Sequence, residues 1–199
     1  MKILAIALAL TLILSVAATA GQNPNAKVAV HVQAYNSKLN CSGLPVVMDC
    51  SDIVTTFSAS YSFHGMPVFF DLYGATTIEY GLMWPDWAYS VAFTNCADLV
   101  IGGIAWPGDN ISHAWQTCQI QYAVIGGYGW WYADVGSAGH ICPVPHSESG
   151  FLGVIDCNFA EDVPMCVFCA GVEGAMGDDP CEPTATEAST WGGIKSIYR

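Results

Sequence analysis

Two alternating stretches decide the fold: VAVHVQAY at residues 28–35 and IVTTFSASYSF at residues 53–63. In both, apolar side chains recur at every second position, and a period of two is typical of a β-strand with one buried face. Shorter stretches of the same kind predict further strands at residues 68–73, 77–84, 89–94, 99–105, 119–125, 129–134 and 151–156.

Turn-forming residues separate these strands. Each strand is bounded by Gly, Pro, Asn or Asp, as in the WPGD sequence of residues 106–109. Long helical patterns, which βαβ units need between their strands, do not occur there. We therefore predict an all-β fold, an antiparallel β-sandwich or partly closed barrel stapled by disulfides, with a short C-terminal helix.

Residues 1–20 have the composition of a signal peptide. Lys2 precedes an apolar run over residues 3–16, and the segment ends in Ala18-Thr19-Ala20, a small-residue pattern of the cleavage type. We expect cleavage after Ala20 and a secreted protein, whether extracellular, periplasmic or held at the cell surface. No later stretch is long and apolar enough for a membrane helix, so no membrane span is expected after cleavage.

The remaining chain divides into three parts. We expect a disulfide-bonded β domain at residues 21–181, a flexible spacer at 182–189 and a short amphipathic tail at 190–199. In the tail, Trp191, Ile194 and Tyr198 fall at helical spacing. A helix this short is marginal alone, so the tail is expected to dock, either on its own domain or on a partner.

The chain is acidic and carries few charges. It has 5 basic and 17 acidic residues, a net charge of −12, and no Lys or Arg between residues 39 and 194. Such a surface repels nucleic-acid phosphates and anionic lipids. Only 11% of its residues are charged, against about a quarter in typical soluble domains. This favours a non-enzymatic protein that acts by binding a cell-surface partner or by self-association, with no cofactor and no nucleic acid.

Nine cysteines predict a disulfide framework in an exported chain. They are Cys41, Cys50, Cys96, Cys118, Cys142, Cys157, Cys166, Cys169 and Cys181. Eight can pair, and one is left over. Spacing does not determine connectivity. Pairing sequence neighbours predicts Cys41–Cys50, Cys96–Cys118, Cys142–Cys157, and Cys181 with Cys166 or Cys169.

Two cysteine-containing stretches offer an alternative function. Cys166 and Cys169 form a CxxC, the arrangement of disulfide oxidoreductases, but no βαβ pattern surrounds it. His140, Cys142 and His146 carry ligand types that zinc and copper accept. The alternative hypothesis is therefore a secreted enzyme or a metal or redox protein that uses one of these regions.

Other catalytic patterns are weaker. Asp109 and His113 share the predicted loop 106–114 and could support acid-base chemistry, although a loop Asp more often caps a turn. No G-x-S-x-G nucleophile motif occurs in the chain. We assign no catalytic residue.

A cluster of aromatic residues offers a third hypothesis, a carbohydrate-binding module. It comprises Tyr128, Trp130, Trp131 and Tyr132. Aromatic rings can form a flat platform for sugars, but in a strand Trp130 and Tyr132 point to one face and Trp131 to the other. One side of the cluster is therefore expected to lie in the core.

A resemblance spans most of the chain after the leader. It rests on CVFCAG at residues 166–171, GDDPC at 177–181, TWGGIK at 190–195, FFDL at 69–72 and IGGI at 101–104. In these stretches the chain resembles a group of uncharacterised secreted bacterial proteins. The resemblance implies export and a shared cysteine framework, and it implies no activity.

Overall fold

The fold is seen in a computed structural model, which describes residues 21–57, 62–133 and 138–182. Fourteen strands form within these ranges: β1 Lys27–Ala34, β2 Thr56–Phe57, β3 Ser62–Phe70, β4 Ala75–Met83, β5 Ala88–Asn95, β6 Leu99–Gly102, β7 Asn110–Gln119, β8 Ala123–Ile125, β9 Gly127–Ala133, β10 Gly139–Val144, β11 Gly153–Ile155, β12 Glu161–Asp162, β13 Cys166–Phe168 and β14 Ala170–Val172. The helices in these ranges are two short 3₁₀ turns, Cys41–Gly43 and Cys50–Asp52.

The strands form two sheets. The first has the order β13-β1-β3-β9-β5, with β8 also paired to β3. The second has the order β12-β11-β4-β10-β14-β2, with β7 on β4 and β6 on β7. The sandwich prediction is confirmed. Most pairs are antiparallel, but β1 with β13 and β14 with β2 are parallel, so the sheets are mixed.

The main core lies between the sheets. Val28, Val30 and Val32 of β1 point into it, as their alternation predicts. The opposite face of β1 is also covered, because Ala29 belongs to a second apolar cluster with Val47, Ile53, Val68, Phe70 and Phe168. The centre of the first sheet is thus buried on both faces, whereas the sequence predicted strands with only one buried face.

Several strand predictions were wrong in their placement. Among the described residues of the predicted strand at 53–63, Thr56–Phe57 form β2 and Ser62 begins β3, whereas residues 53–55 lie outside any strand. β7 runs through much of the predicted 106–114 loop, and β10, which contains Pro143, was not among the predicted strands. Pro143 is accommodated near the point where β10 changes partners, since residues 139–141 pair with β14 and 142–144 with β4.

Four disulfides staple the sandwich: Cys41–Cys96, Cys50–Cys181, Cys118–Cys157 and Cys142–Cys169. The framework is confirmed, but every predicted pair is wrong. The bridges join positions 27 to 131 residues apart, because the sandwich brings distant strands together and separates sequence neighbours. Cys166 lies outside these four bridges.

Both predicted terminal elements lie outside the described residues. These are the leader at 1–20 and the helical tail at 190–199, together with nearly all of the spacer at 182–189. In the part of the chain that is described, no helix has the length and apolar character needed to cross a membrane.

Candidate functional site

Strand β9 splits the predicted aromatic cluster between the core and the surface. Trp131 points inward and is fully buried. Its ring stacks on Phe63, with centroids 6.2 Å apart, and meets Trp84 edge-on at 5.7 Å. A Cβ added at Gly65 would lie 2.9 Å from the Trp131 ring, so a glycine is needed there to admit the indole. Trp131 is therefore a core residue and was wrongly included among the ligand-binding candidates.

The outward side of β9 carries an exposed aromatic surface. Tyr132 is 40% exposed, and its cross-strand partner on β5, Tyr89, is 57% exposed. Trp130 lies two residues from Tyr132 on the same face, and the Tyr35 ring packs on it at 4.7 Å. We name these four residues, Tyr35, Tyr89, Trp130 and Tyr132, the tyrosine–tryptophan face.

Trp130 is held in place on two sides. Its Nε1 donates to Ser62 Oγ at 2.5 Å, and Tyr35 packs against its ring. Tyr35 also lies 5.1 Å from the His64 ring. The indole is thus fixed before any ligand arrives, which lowers the entropy lost on binding.

A small cavity of about 140 Å³ borders this face, between β9 and the segment after β1. Buried polar groups hold that segment: His64 Nε2 lies 3.2 Å from Asn36 O, and Tyr128 donates to Leu39 O at 2.8 Å. Tyr128 is only 8% exposed, so its place is in the wall of the cavity. The cavity also presents the polar side chains of Asn36, Ser37 and Thr94.

The predicted metal ligands are not brought together. Cys142 is bonded to Cys169, which removes its thiolate. His140 Nε2 lies 3.0 Å from Met176 O, whereas His146 lies beside Asn110 and 3.8 Å from Glu79. Among the described residues no group of three or more His, Cys, Asp or Glu side chains could hold a metal ion. The proposed His140, Cys142 and His146 site was wrong.

The CxxC is not a redox pair in this structure. Cys169 is bonded to Cys142, and its neighbour in the motif, Cys166, lies outside the four disulfides. Cys166 is the first residue of β13, and Cys169 directly follows the last residue of that strand. The motif therefore contributes one half-cystine to the framework.

The side chains of Asp109 and His113 have different hydrogen-bond partners and do not contact each other in any hydrogen bond of the structure. Asp109 caps its turn by accepting hydrogen bonds from Ala105 N at 2.9 Å and Trp106 N at 2.7 Å. His113 is fully buried between Asn95 and Tyr80. Because Asn95 Oδ1 is an acceptor, His113 Nδ1 donates to it at 2.8 Å and Nε2 accepts from Tyr80 at 3.0 Å. This pair of residues does not form an acid-base site.

Burial of the neutral His113 predicts an acid-sensitive stability. Burial lowers the pKa of His113 from 6.5 to about 4. The unfolded chain therefore binds more protons between these values, and stability falls as the pH drops from 6.5 towards 4, by roughly 3 kcal/mol in all. Thermal melting of His113→Gln between pH 7 and 4 should show a flatter pH dependence, while His140→Gln keeps the original slope. If the melting temperatures of the unmodified protein, His113→Gln and His140→Gln all changed equally with pH, His113 would not be the source of the acid sensitivity.

Sequence reasoning missed half of the tyrosine–tryptophan face. Tyr35 ends the first alternating stretch and Tyr89 begins a predicted strand, but neither is near Trp130 in sequence. Pairing of β5 with β9 places Tyr89 opposite Tyr132, and pairing of β3 with both β1 and β9 brings Tyr35 to Trp130. Only the alternation of Trp130 and Trp131 was visible beforehand, and it correctly indicated that one side of the cluster is core.

Comparison with known proteins gives only distant likenesses. No protein-family model and no curated protein matches the chain. Among solved structures, a cohesin module from a Clostridium perfringens family 33 glycoside hydrolase has 10% identity and a TM-score of 0.48, with 73% of this chain and 94% of that chain covered. The seventh ScaB type I cohesin from Pseudobacteroides cellulosolvens has 7% identity and a TM-score of 0.49, with 79% and 96% covered. Such a likeness does not extend to family or function.

Proposed function

We propose that this is a secreted, non-enzymatic binding protein whose tyrosine–tryptophan face binds a neutral carbohydrate. The observation that carries the proposal is the fixed Trp130 ring, flanked on one sheet face by exposed tyrosines. A row of flat aromatic rings offers apolar contact to the C–H faces of sugar rings, and tyrosine hydroxyls offer hydrogen bonds at the rim.

The polar groups beside the face fit hydroxyl-rich ligands. Asn36, Ser37 and Thr94 line the adjoining cavity and can donate to and accept from sugar hydroxyls. Held in position by the His64 and Tyr128 contacts, the segment after β1 needs little ordering when a ligand binds.

Charge favours a neutral ligand over an anionic one. The chain has a net charge of −12. Over the described residues the lysines are Lys27, which pairs with Asp71 at 2.8 Å, and the exposed Lys38. One exposed cation gives little attraction to sulfated or phosphorylated glycans, whose binding depends on several cations.

The test is retention on insoluble polysaccharides and on a printed glycan array. We expect the protein to bind at least one neutral glycan, and Tyr89→Ala/Tyr132→Ala to lose at least about tenfold in affinity because the platform is removed. The melting temperature of this variant should change by no more than about 2 °C, since both side chains are exposed.

The matched control is Tyr73→Ala. Tyr73 is 68% exposed but lies beyond the far end of β3, away from the face, so its removal should leave retention unchanged. Equal retention by all variants would place binding elsewhere. Retention on no glycan, with a dimer or larger species in light scattering, would reject the sugar ligand in favour of self-assembly.

A further inference from the structure

The first described residues lie against two buried carboxylates. Asp156 is fully buried, and Asp162 is 6% exposed. Asp156 Oδ1 accepts from Asn158 N at 2.7 Å and Ala160 N at 2.9 Å, and its Oδ2 accepts from Gln22 N at 2.8 Å. The carboxylate that follows β11 therefore fixes the backbone of residue 22.

Asp162 fixes the next residue in the same way. Its Oδ2 accepts from both the backbone N of Asn23 at 3.0 Å and the side-chain Nδ2 at 2.9 Å. Asn23 is fully buried and is tied to the β3–β4 turn, with Oδ1 accepting from Tyr73 N at 2.7 Å and Nδ2 donating to Gly74 O at 2.9 Å. Residues 22 and 23 are thus held by the sheet.

Gly21 lies directly on the Asp162 carboxylate. A Cβ added at Gly21 would meet the Asp162 side chain before any other group, closer than a real side-chain contact allows. A residue without a Cβ is needed for the backbone to come this close. The amino nitrogen of residue 21 is one bond from that Cα, so it too lies near the carboxylate.

The carboxylates have no cation among the described residues. Lys27 forms an ion pair with Asp71, and His146 Nδ1 lies 3.8 Å from Glu79 Oε1; neither contact involves Asp156 or Asp162. Burial acts to raise the pKa of Asp156, but its three backbone N–H donors outweigh this and lower the pKa, so the group stays ionised. Buried negative charge is stable only when it is compensated.

We propose that Asp162, with Asp156 beside the next residue, is the binding site for the α-ammonium group of Gly21, which cleavage after Ala20 creates. Hydrolysis of the Ala20–Gly21 peptide bond by a peptidase of the export route consumes one water. It leaves a carboxylate on Ala20 and an amino group on Gly21, which takes up a proton. The new cation then compensates the buried carboxylate, so that processing completes the fold. The inference rests on the export proposed above but not on sugar binding.

The test compares two oxidised proteins with defined N-termini, residues 21–199 and residues 20–199, each with and without Asp162→Asn. The added Ala20 moves the ammonium group about 3.5 Å away from the carboxylate. We expect the chain that starts at Gly21 to melt about 5 to 10 °C higher. Asp162→Asn should remove most of this difference, because the amide keeps an acceptor for Asn23 but not the charge.

Amine acylation gives a second readout that a purely structural role of Asp162 would not change. In the folded chain that starts at Gly21, the α-amino group should react at least about tenfold more slowly than in its Asp162→Asn variant, with the peptides containing Lys27 and Lys38 as internal controls. Equal melting temperatures for the two starts, or equal acylation rates with and without Asp162, would overturn the proposal. An exported protein that begins at a residue other than Gly21 would also overturn it. None of these readouts depends on a glycan, so loss of the proposed function leaves this test intact.

Discussion

Trp131→Ala lowers the free energy of unfolding by about 3 to 5 kcal/mol, the cost expected for removing a large aromatic ring from a close-packed core. The ring is fully buried and contacts Phe63 and Trp84 between the sheets. Chemical denaturation monitored by circular dichroism would measure the loss. Trp131→Phe should cost much less, because Trp131 Nε1 has no hydrogen-bond partner among the described residues and its removal breaks no bond.

Trp130→Ala is the control on the same strand. Trp130 is half-buried and faces outward, so its removal costs one hydrogen bond to Ser62 and the contact with Tyr35. We expect Trp130→Ala to lower the free energy of unfolding by less than half as much as Trp131→Ala does. Equal losses of stability in the two variants would contradict the description of Trp131 as a core residue and Trp130 as a surface residue.

Replacing Cys50 and Cys181 with Ala has the second large effect, a loss of about 3 to 5 kcal/mol. This bridge closes the longest loop of the four, with a sequence separation of 131, and the chain-entropy model gives the greatest stabilisation to long loops. It also holds residues 47–53, the covering segment, on the first sheet, where Val47 and Ile53 form the second apolar cluster with Ala29. Denaturation under non-reducing conditions would measure it.

The matched comparison is Cys41→Ala/Cys96→Ala. That bridge spans a separation of 55 and Cys41 is exposed, so its removal should cost less. A smaller loss for the Cys50–Cys181 pair than for the Cys41–Cys96 pair would contradict the role assigned to the clamp.

Alternation predicted the parts of the fold that depend on local pattern. Val28, Val30 and Val32 face the main core because period two alone decides which side is buried. The pattern could not reveal that Ala29 is also covered, since the covering segment with Val47 and Ile53 reaches it only through the tertiary fold. The same limit applies to the predicted strand at residues 53–63. Ile53 packs in the second apolar cluster, whereas Phe57 and Phe63 pack in the main core, and the alternation does not show this difference.

Disulfide pairing and the binding face both depend on contacts between distant strands. Cys50 precedes β2 and Cys181 follows β14, and the pairing of these two strands brings the two ends of the chain segment together, which nothing in the spacing of nine cysteines encodes. Likewise, Tyr89 joins Tyr132 through the register of β5 and β9. The Trp130 and Trp131 division was predictable because it lies within one strand.

The most direct test of the account is the indole N–H region of a ¹⁵N-edited NMR spectrum, recorded while the strongest neutral oligosaccharide from the array is added. The chain has seven tryptophans. We predict that the Trp130 signal shifts with saturation and that the buried Trp131 signal stays in place, because the sugar binds on the outer face of β9. A titration in which the Trp130 signal is unchanged while other indole signals shift would contradict binding at the tyrosine–tryptophan face.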